Sequence, residues 1–130
     1  MLEKSRAIMV VAPGPALRWA MEELKRSFGY RLQYAADPYE AGLRLENTSV
    51  DAVVCEAAPA YTAECRLLRE ICQRSVRVPV FLFVEPESEE YMLEELGHGT
   101  FHVVRPATPI QAFHEMLQET IRQHQRGKAA

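Results

Sequence analysis

The sequence predicts one α/β domain, a doubly wound sheet of five parallel strands each followed by a helix, and three observations lead there. Five short apolar runs recur along the chain. Each gives way to a segment with helical spacing. The most apolar run shows no polar alternation, the pattern of a strand covered by helices on both faces. At 130 residues the chain has room for one continuous core and for no second domain.

The first run, Ala7 to Val11, is short and rich in β-branched residues, and Ala12-Pro13-Gly14-Pro15 closes it as a turn. Leu17, Ala20, Met21, Leu24 and Phe28 then recur at the spacing of one helix face, and Gly29 stands where a helix stops. Arg31 to Ala35 alternates weakly as a second strand. Asp37-Pro38-Tyr39-Glu40 supplies an N-cap, a proline at the first helical position and a capping-box glutamate, so a second helix starts at Pro38.

Residues 52–55 form the third run, and Leu67, Leu68 and Ile71 mark a third helix over about 62–73. Residues 78–84 are the fourth strand. Ser88 is placed to cap a fourth helix carrying Met92, Leu93 and Leu96, which Gly97 and Gly99 end before a fifth strand at 101–104. Thr108-Pro109-Ile110-Gln111 is a second capping box, and Ile110, Phe113, Leu117 and Ile121 are the buried stripe of a fifth helix. The folded domain is expected over 1–122, with 123–130 a polar tail or linker toward a longer chain. Ligands of such sheets bind beyond the carboxyl ends of the strands, here near Ala12, Glu56, Val84 and Arg105.

Composition narrows the function by exclusion. A formal net charge of -3 gives no basic surface for phosphate backbones, so direct nucleic-acid binding is not expected. The apolar run behind Lys4 and Arg6 is too short for a signal peptide or a membrane span, which places the chain in the cytoplasm. Cys55, Cys65 and Cys72 form no CxxC pair and read as reduced thiols. His98, His102, His114 and His124 lack ligand spacing, Glu85 and Glu87 read as solvated loop acids, and Trp19 reads as a packing or surface residue, so neither metal nor cofactor is expected. An enzyme is not expected either. A Cys-x5-Arg phosphatase loop starting at Cys55 would need arginine where Tyr61 stands, and no GxGxxG or GxxxxGK loop occurs.

Five motifs in register resemble the response-regulator receiver (CheY-like) family over residues 5–122. Ile8 to Arg18 is similar to that family's first strand and turn, an apolar strand followed by Asp-Asp-x-Pro-x-x-Arg, with Ala12 and Pro13 in place of the two acids. Gly29-Tyr30-Arg31-Leu32, Ala35, Glu40-Ala41 and Leu43 resemble its second unit. Asp51 to Glu56 resembles its third strand, with Glu56 in place of the phosphorylated aspartate. In the fourth strand Val84 replaces the switch Thr or Ser. His102 takes the aromatic switch position, and Arg105, before Pro106, replaces the lysine.

The resemblance implies a degenerate pseudo-receiver. A receiver holds Mg²⁺ through carboxylates at the end of strand one and at the phosphoacceptor, and Ala12 and Pro13 offer none. Without that metal nothing balances the charge of an incoming phosphoryl group beside Glu56. The family positions of Glu56 and Arg105 lead us to expect a bridge between them; the sequence leaves open whether Glu56 also mimics the charge of a phosphoaspartate. Two functions follow from this. One is a phosphorylation-independent module that binds a protein partner or output domain, such as the N-terminal regulatory domain of a larger signalling or transcription-regulating protein. The other is an atypical phospho-switch or small-ligand sensor using the altered crevice. The interaction face a receiver uses, made by the fourth helix, fifth strand and fifth helix, corresponds to Tyr91, Glu94, Glu95, His102, Val104, Gln111, Glu115 and Arg122. A homodimer is expected there.

Overall fold

The first strand, β1 (Ala7–Val11), is buried at all five positions, as an unalternating run of apolar residues requires when both sheet faces are covered. A computed structural model describes residues 5–56, 78–96 and 101–129. The other elements are α1 (Pro15–Phe28), β2 (Arg31–Ala35), α2 (Pro38–Leu45), β3 (Ala52–Glu56), β4 (Val80–Phe83), α3 (Pro86–Leu96), β5 (His102–Val104) and α4 (Ile110–Ala129). Here α3 and α4 are the fourth and fifth helices expected from the sequence. The helix expected over 62–73, with Cys65 and Cys72, lies outside the described residues, as do Gly97, His98 and Gly99.

All four strand pairings are parallel, in the order β2-β1-β3-β4-β5. The expected sheet is therefore the observed one. Side chains alternate between two apolar layers. Met9, Val11, Val53, Cys55, Leu82 and Val84 face one layer with Ala41 of α2. Ile8, Val10, Val54, Phe81, Phe83 and Val104 face the other, covered by Leu17, Met21 and Leu24 of α1 and by Phe113, Leu117 and Ile121 of α4.

The helix ends follow from local chemistry. Gly29 adopts the left-handed conformation (φ 78°) and its N–H donates to the Lys25 carbonyl, ending α1. The α2 capping box is closed as expected: Asp37 accepts from the Glu40 N–H at 2.8 Å, and Glu40 accepts from the Ala36 N–H at 2.9 Å. Ser88 does not cap α3. The helix begins earlier, at Pro86, and the Ser88 N–H donates to the Glu85 carbonyl, because a proline's fixed φ suits the first helical position. The polar stretch after Arg122 is helical through Ala129, so α4 extends beyond its buried stripe.

Candidate functional site

The carboxyl ends of β1 and β3 border the crevice in which open α/β sheets bind ligands. Ala12 ends β1 with a positive φ of 50°, a conformation unfavourable for a residue with a side chain, and its N–H donates to the Ala35 carbonyl at 2.9 Å. The turn then reaches Gly14, which starts α1 with no side-chain cap. Glu56, the last residue of β3, directs its carboxylate onto this turn: a Cβ added to Gly14 would lie 2.5 Å from Glu56 Oε2 and 3.2 Å from its Cδ. Only glycine leaves the carboxylate that position. An uncapped helix N-terminus with its partial positive charge is also a favourable neighbour for a carboxylate.

The expected bridge from Glu56 to Arg105 is not formed. Arg105 turns instead to α3, where Nε and Nη2 donate to Glu89 Oε2 at 3.3 and 3.2 Å. Glu89 lies in the first turn of α3, within reach of the residue after β5. Val84 is 1% exposed and packs in the same apolar layer as Cys55 and Leu82, so its side chain belongs to the core rather than to the crevice. Ala12 and Pro13 put no oxygen-bearing side chain at the end of β1. A hard cation such as Mg²⁺ wants several oxygen ligands, and among the described residues no three His, Cys, Asp or Glu side chains come together to hold a metal. The crevice residues do not fit the receiver family's ion.

His102 lies on edge strand β5 with one side of its ring against Phe81, at a centroid distance of 5.2 Å. Burial of that side lowers its pKa from the ordinary value, and the nearby His124 lowers it further. The candidate interface residues Tyr91, Glu94, Gln111, Glu115 and Arg122 are exposed, whereas the side chain of Glu95 lies outside those described. Val104 is a correction. At 1% exposure it sits in the core beside Phe83, because its face of β5 is covered by Phe113, Leu117 and Ile121 of α4.

Sequence reasoning gave His114 no role, yet it is the most connected histidine described. Its ring stacks on Phe28 at a centroid distance of 3.7 Å, and Nδ1 lies 2.9 Å from the Tyr30 hydroxyl, tying α1 and β2 to α4. Burial lowers its pKa, against an opposing pull from Glu115, while burial pushes the Tyr30 phenol up to about 12. Nothing in the pattern of the last helix marks His114, since its partners are 84 or more residues away in sequence.

Several solved structures with the same arrangement are receiver domains. The signal receiver domain of an HD domain-containing protein from Pseudomonas fluorescens Pf-5 superposes with a TM-score of 0.78 at 16% identity, over 99% of this chain and 96% of that one. A response regulator receiver domain from Methanospirillum hungatei JF-1 gives 0.71 at 14% identity, over 95% and 99%. The receiver domain of a sensor histidine kinase from Pseudomonas aeruginosa PAO1, with a magnesium ion coordinated in its active site cleft, gives 0.71 at 22% identity, over 91% and 98%. The chain has the receiver fold. No protein-family model matches the sequence, and no curated protein matches it.

Proposed function

We propose that this domain is a phosphorylation-independent receiver, a signalling module that works by binding a protein partner or output domain and carries no enzymatic activity of its own. The observation that carries this reading is the state of the crevice. Ala12 and Pro13 stand where a receiver's metal-binding acids stand, and Val84 is in the core. The Glu56 carboxylate is laid against Gly14 at the N-terminus of α1. Phosphoryl transfer depends on positioning and on cancelling charge at the transferred group, and these residues supply neither.

The fold supports a signalling role, since the similar structures include domains of an HD domain-containing protein and of a sensor histidine kinase. In the second of these a magnesium ion sits in the active site cleft. A regulatory domain of a larger cytoplasmic protein is the setting that suits a small acidic domain with this fold. No helix among the described residues is long and apolar enough to cross a membrane.

Incubation with acetyl phosphate and Mg²⁺ followed by intact-mass measurement tests the proposal. The expected result is an unchanged mass. A stoichiometric phosphoryl adduct would end the reading and favour an atypical phospho-switch.

A further inference from the structure

On the other side of β1 from the crevice, between the turn after β1 and the turn after β2, the surface folds into a cleft of about 480 Å³. Ala12, Pro13, Arg18, Tyr34, Ala35, Ala36 and Glu40 line it. That volume lies within the range of small-molecule sites, and its place beyond the carboxyl ends of two parallel strands is where open α/β sheets bind ligands.

The charges around the cleft are unevenly satisfied. Glu40 is fully engaged: one oxygen accepts from the Ala36 N–H at 2.9 Å, and the other pairs with Arg44 at 2.7 Å. Tyr34 donates its hydroxyl to Glu22 and stays protonated, its pKa pushed up to about 12 by burial first and by that carboxylate second. The phenol ring is thereby fixed, and the Arg18 guanidinium lies over it, 4.6 Å from the centroid. Arg18 itself has no carboxylate within ion-pair distance among the described residues, since the pairs there involve Arg26, Arg44, Arg105 and Arg122. A positioned guanidinium whose donors no acceptor among the described residues uses faces a cleft lined by Ala12, Pro13, Ala35 and Ala36 together with Tyr34 and the already engaged Glu40.

We infer that this cleft binds a small organic anion with a flat apolar body, its carboxylate gripped by Arg18 and its body lying along Ala12, Pro13, Ala35 and Ala36. Arginine's planar fork matches a carboxylate with two parallel hydrogen bonds. One unpaired guanidinium balances a single negative charge, which favours a carboxylate over a doubly charged phosphate monoester. The carbons of Ala12, Pro13, Ala35 and Ala36 on one part of the wall favour a ring over a small hydrated ion. The left-handed backbone of Ala12 supports the assignment, since strain of this kind persists where the surroundings impose it and clusters at ligand sites. The cleft shares Ala12 and Pro13 with the Glu56 crevice but neither Glu56 nor Gly14 lines it, and the benzoate test needs no phosphodonor, so its outcome is read apart from that of the phosphorylation test.

Benzoate is the probe, followed through the backbone amide shifts of Ala12, Ala35 and Ala36 in a ¹⁵N-labelled sample. The expected result is saturable shifts at these amides, with acetate, inorganic phosphate and benzyl alcohol each binding at least ten-fold more weakly. Arg18→Ala should weaken benzoate at least ten-fold. Ala36→Leu, which fills the cleft from an exposed position and leaves Arg18 intact, should do the same. Shifts that rise linearly without saturating, or saturable binding unchanged in either variant, would overturn the inference.

Discussion

The position of Glu56 rests on a missing atom. Because a Cβ at residue 14 would lie 2.5 Å from Glu56 Oε2, Gly14→Ala forces the two apart, and the flexible carboxylate is the part that yields. The expected loss of stability is below about 1 kcal/mol, in keeping with a clash a side chain can escape. A double-mutant cycle reads the contact itself: the cost of Gly14→Ala should shrink by about 0.5 kcal/mol in a Glu56→Ala background, because contacting residues are non-additive. Equal costs in both backgrounds would mean the carboxylate does not rest on Gly14. Arg105 poses the opposite case. Its pair with Glu89 is exposed on the arginine side, with a side-chain exposure of 62%, and exposed pairs contribute little. Urea denaturation of Arg105→Ala should therefore show a loss of no more than about 0.5 kcal/mol. A loss of 2 kcal/mol or so would point to the buried bridge the structure lacks. The sequence placed both residues at the right end of the sheet, since register follows from strand patterns. Where the side chains turn depends on neighbours it did not connect, Gly14 for Glu56 and Glu89 for Arg105.

At the level of elements, strands and capping boxes were legible because their causes are local. Unalternating apolar runs specify buried strands, and Asp37-Pro38-Tyr39-Glu40 specifies its own helix start. The end of α4 was less legible. Its apolar stripe stops at Ile121, but a stripe marks burial, while good helix formers such as Arg122, Gln123, Gln125 and Arg126, all exposed, carry the helix on toward Ala129. What holds α4 to the rest is partly the His114 cluster, and this makes stability depend on pH. Burial depresses the folded-state pKa of His114, and of His102, below the ordinary imidazole value of about 6.5. Around His114 stand Tyr30, with Arg6 acting on its phenol, and Glu115, which partly offsets the shift. A base with a depressed folded pKa binds fewer protons folded than unfolded, so unfolding takes up protons and acid favours it. The stability is therefore present above the unfolded value and is lost as pH falls from about 6.5 toward the folded pKa. Urea midpoints measured from about pH 8 down to about pH 5 should decline across this window. His114→Phe, which keeps a ring against Phe28 but neither titrates nor accepts from Tyr30, should lower the midpoint at pH 8 and make the decline shallower. An unchanged slope would remove His114 from the account.

For the molecule as a whole, the proposed phosphorylation-independent function requires a surface that meets a partner with no phosphoryl group selecting between states. A two-state switch exposes its output face in one state only, whereas a domain with a single resting state presents the same face throughout. The face expected from the receiver resemblance survives in reduced form. Tyr91, Glu94, His102, Gln111, Glu115 and Arg122 are exposed on α3, β5 and α4, while Val104 is withdrawn into the core. Its character is polar with two rings, and its charges are partly answered locally: Arg122 lies 3.2 Å from Glu119, and Gln111 lies 3.1 Å from Glu115. Such a surface suits a weak, reversible contact better than an obligate one, whose buried centre would be largely apolar. A competing surface exists on α2, where Tyr39 and Leu43 are 62% and 50% exposed one helical turn apart. Twofold symmetry makes a residue on one copy meet its complement on the other, so a charged face pairs with itself only when acids oppose bases across the axis. Glu94 and Arg122 offer that complement. We expect analytical ultracentrifugation to show a concentration-dependent dimer that acetyl phosphate and Mg²⁺ leave unchanged. Glu94→Arg alone should weaken it by placing like charges across the axis, and adding Arg122→Glu should restore it in part. A weakening by Tyr39→Ser with Glu94→Arg silent would move the contact to α2, and a wild type that stays monomeric at high concentration would leave docking to a different protein as the only use of this face.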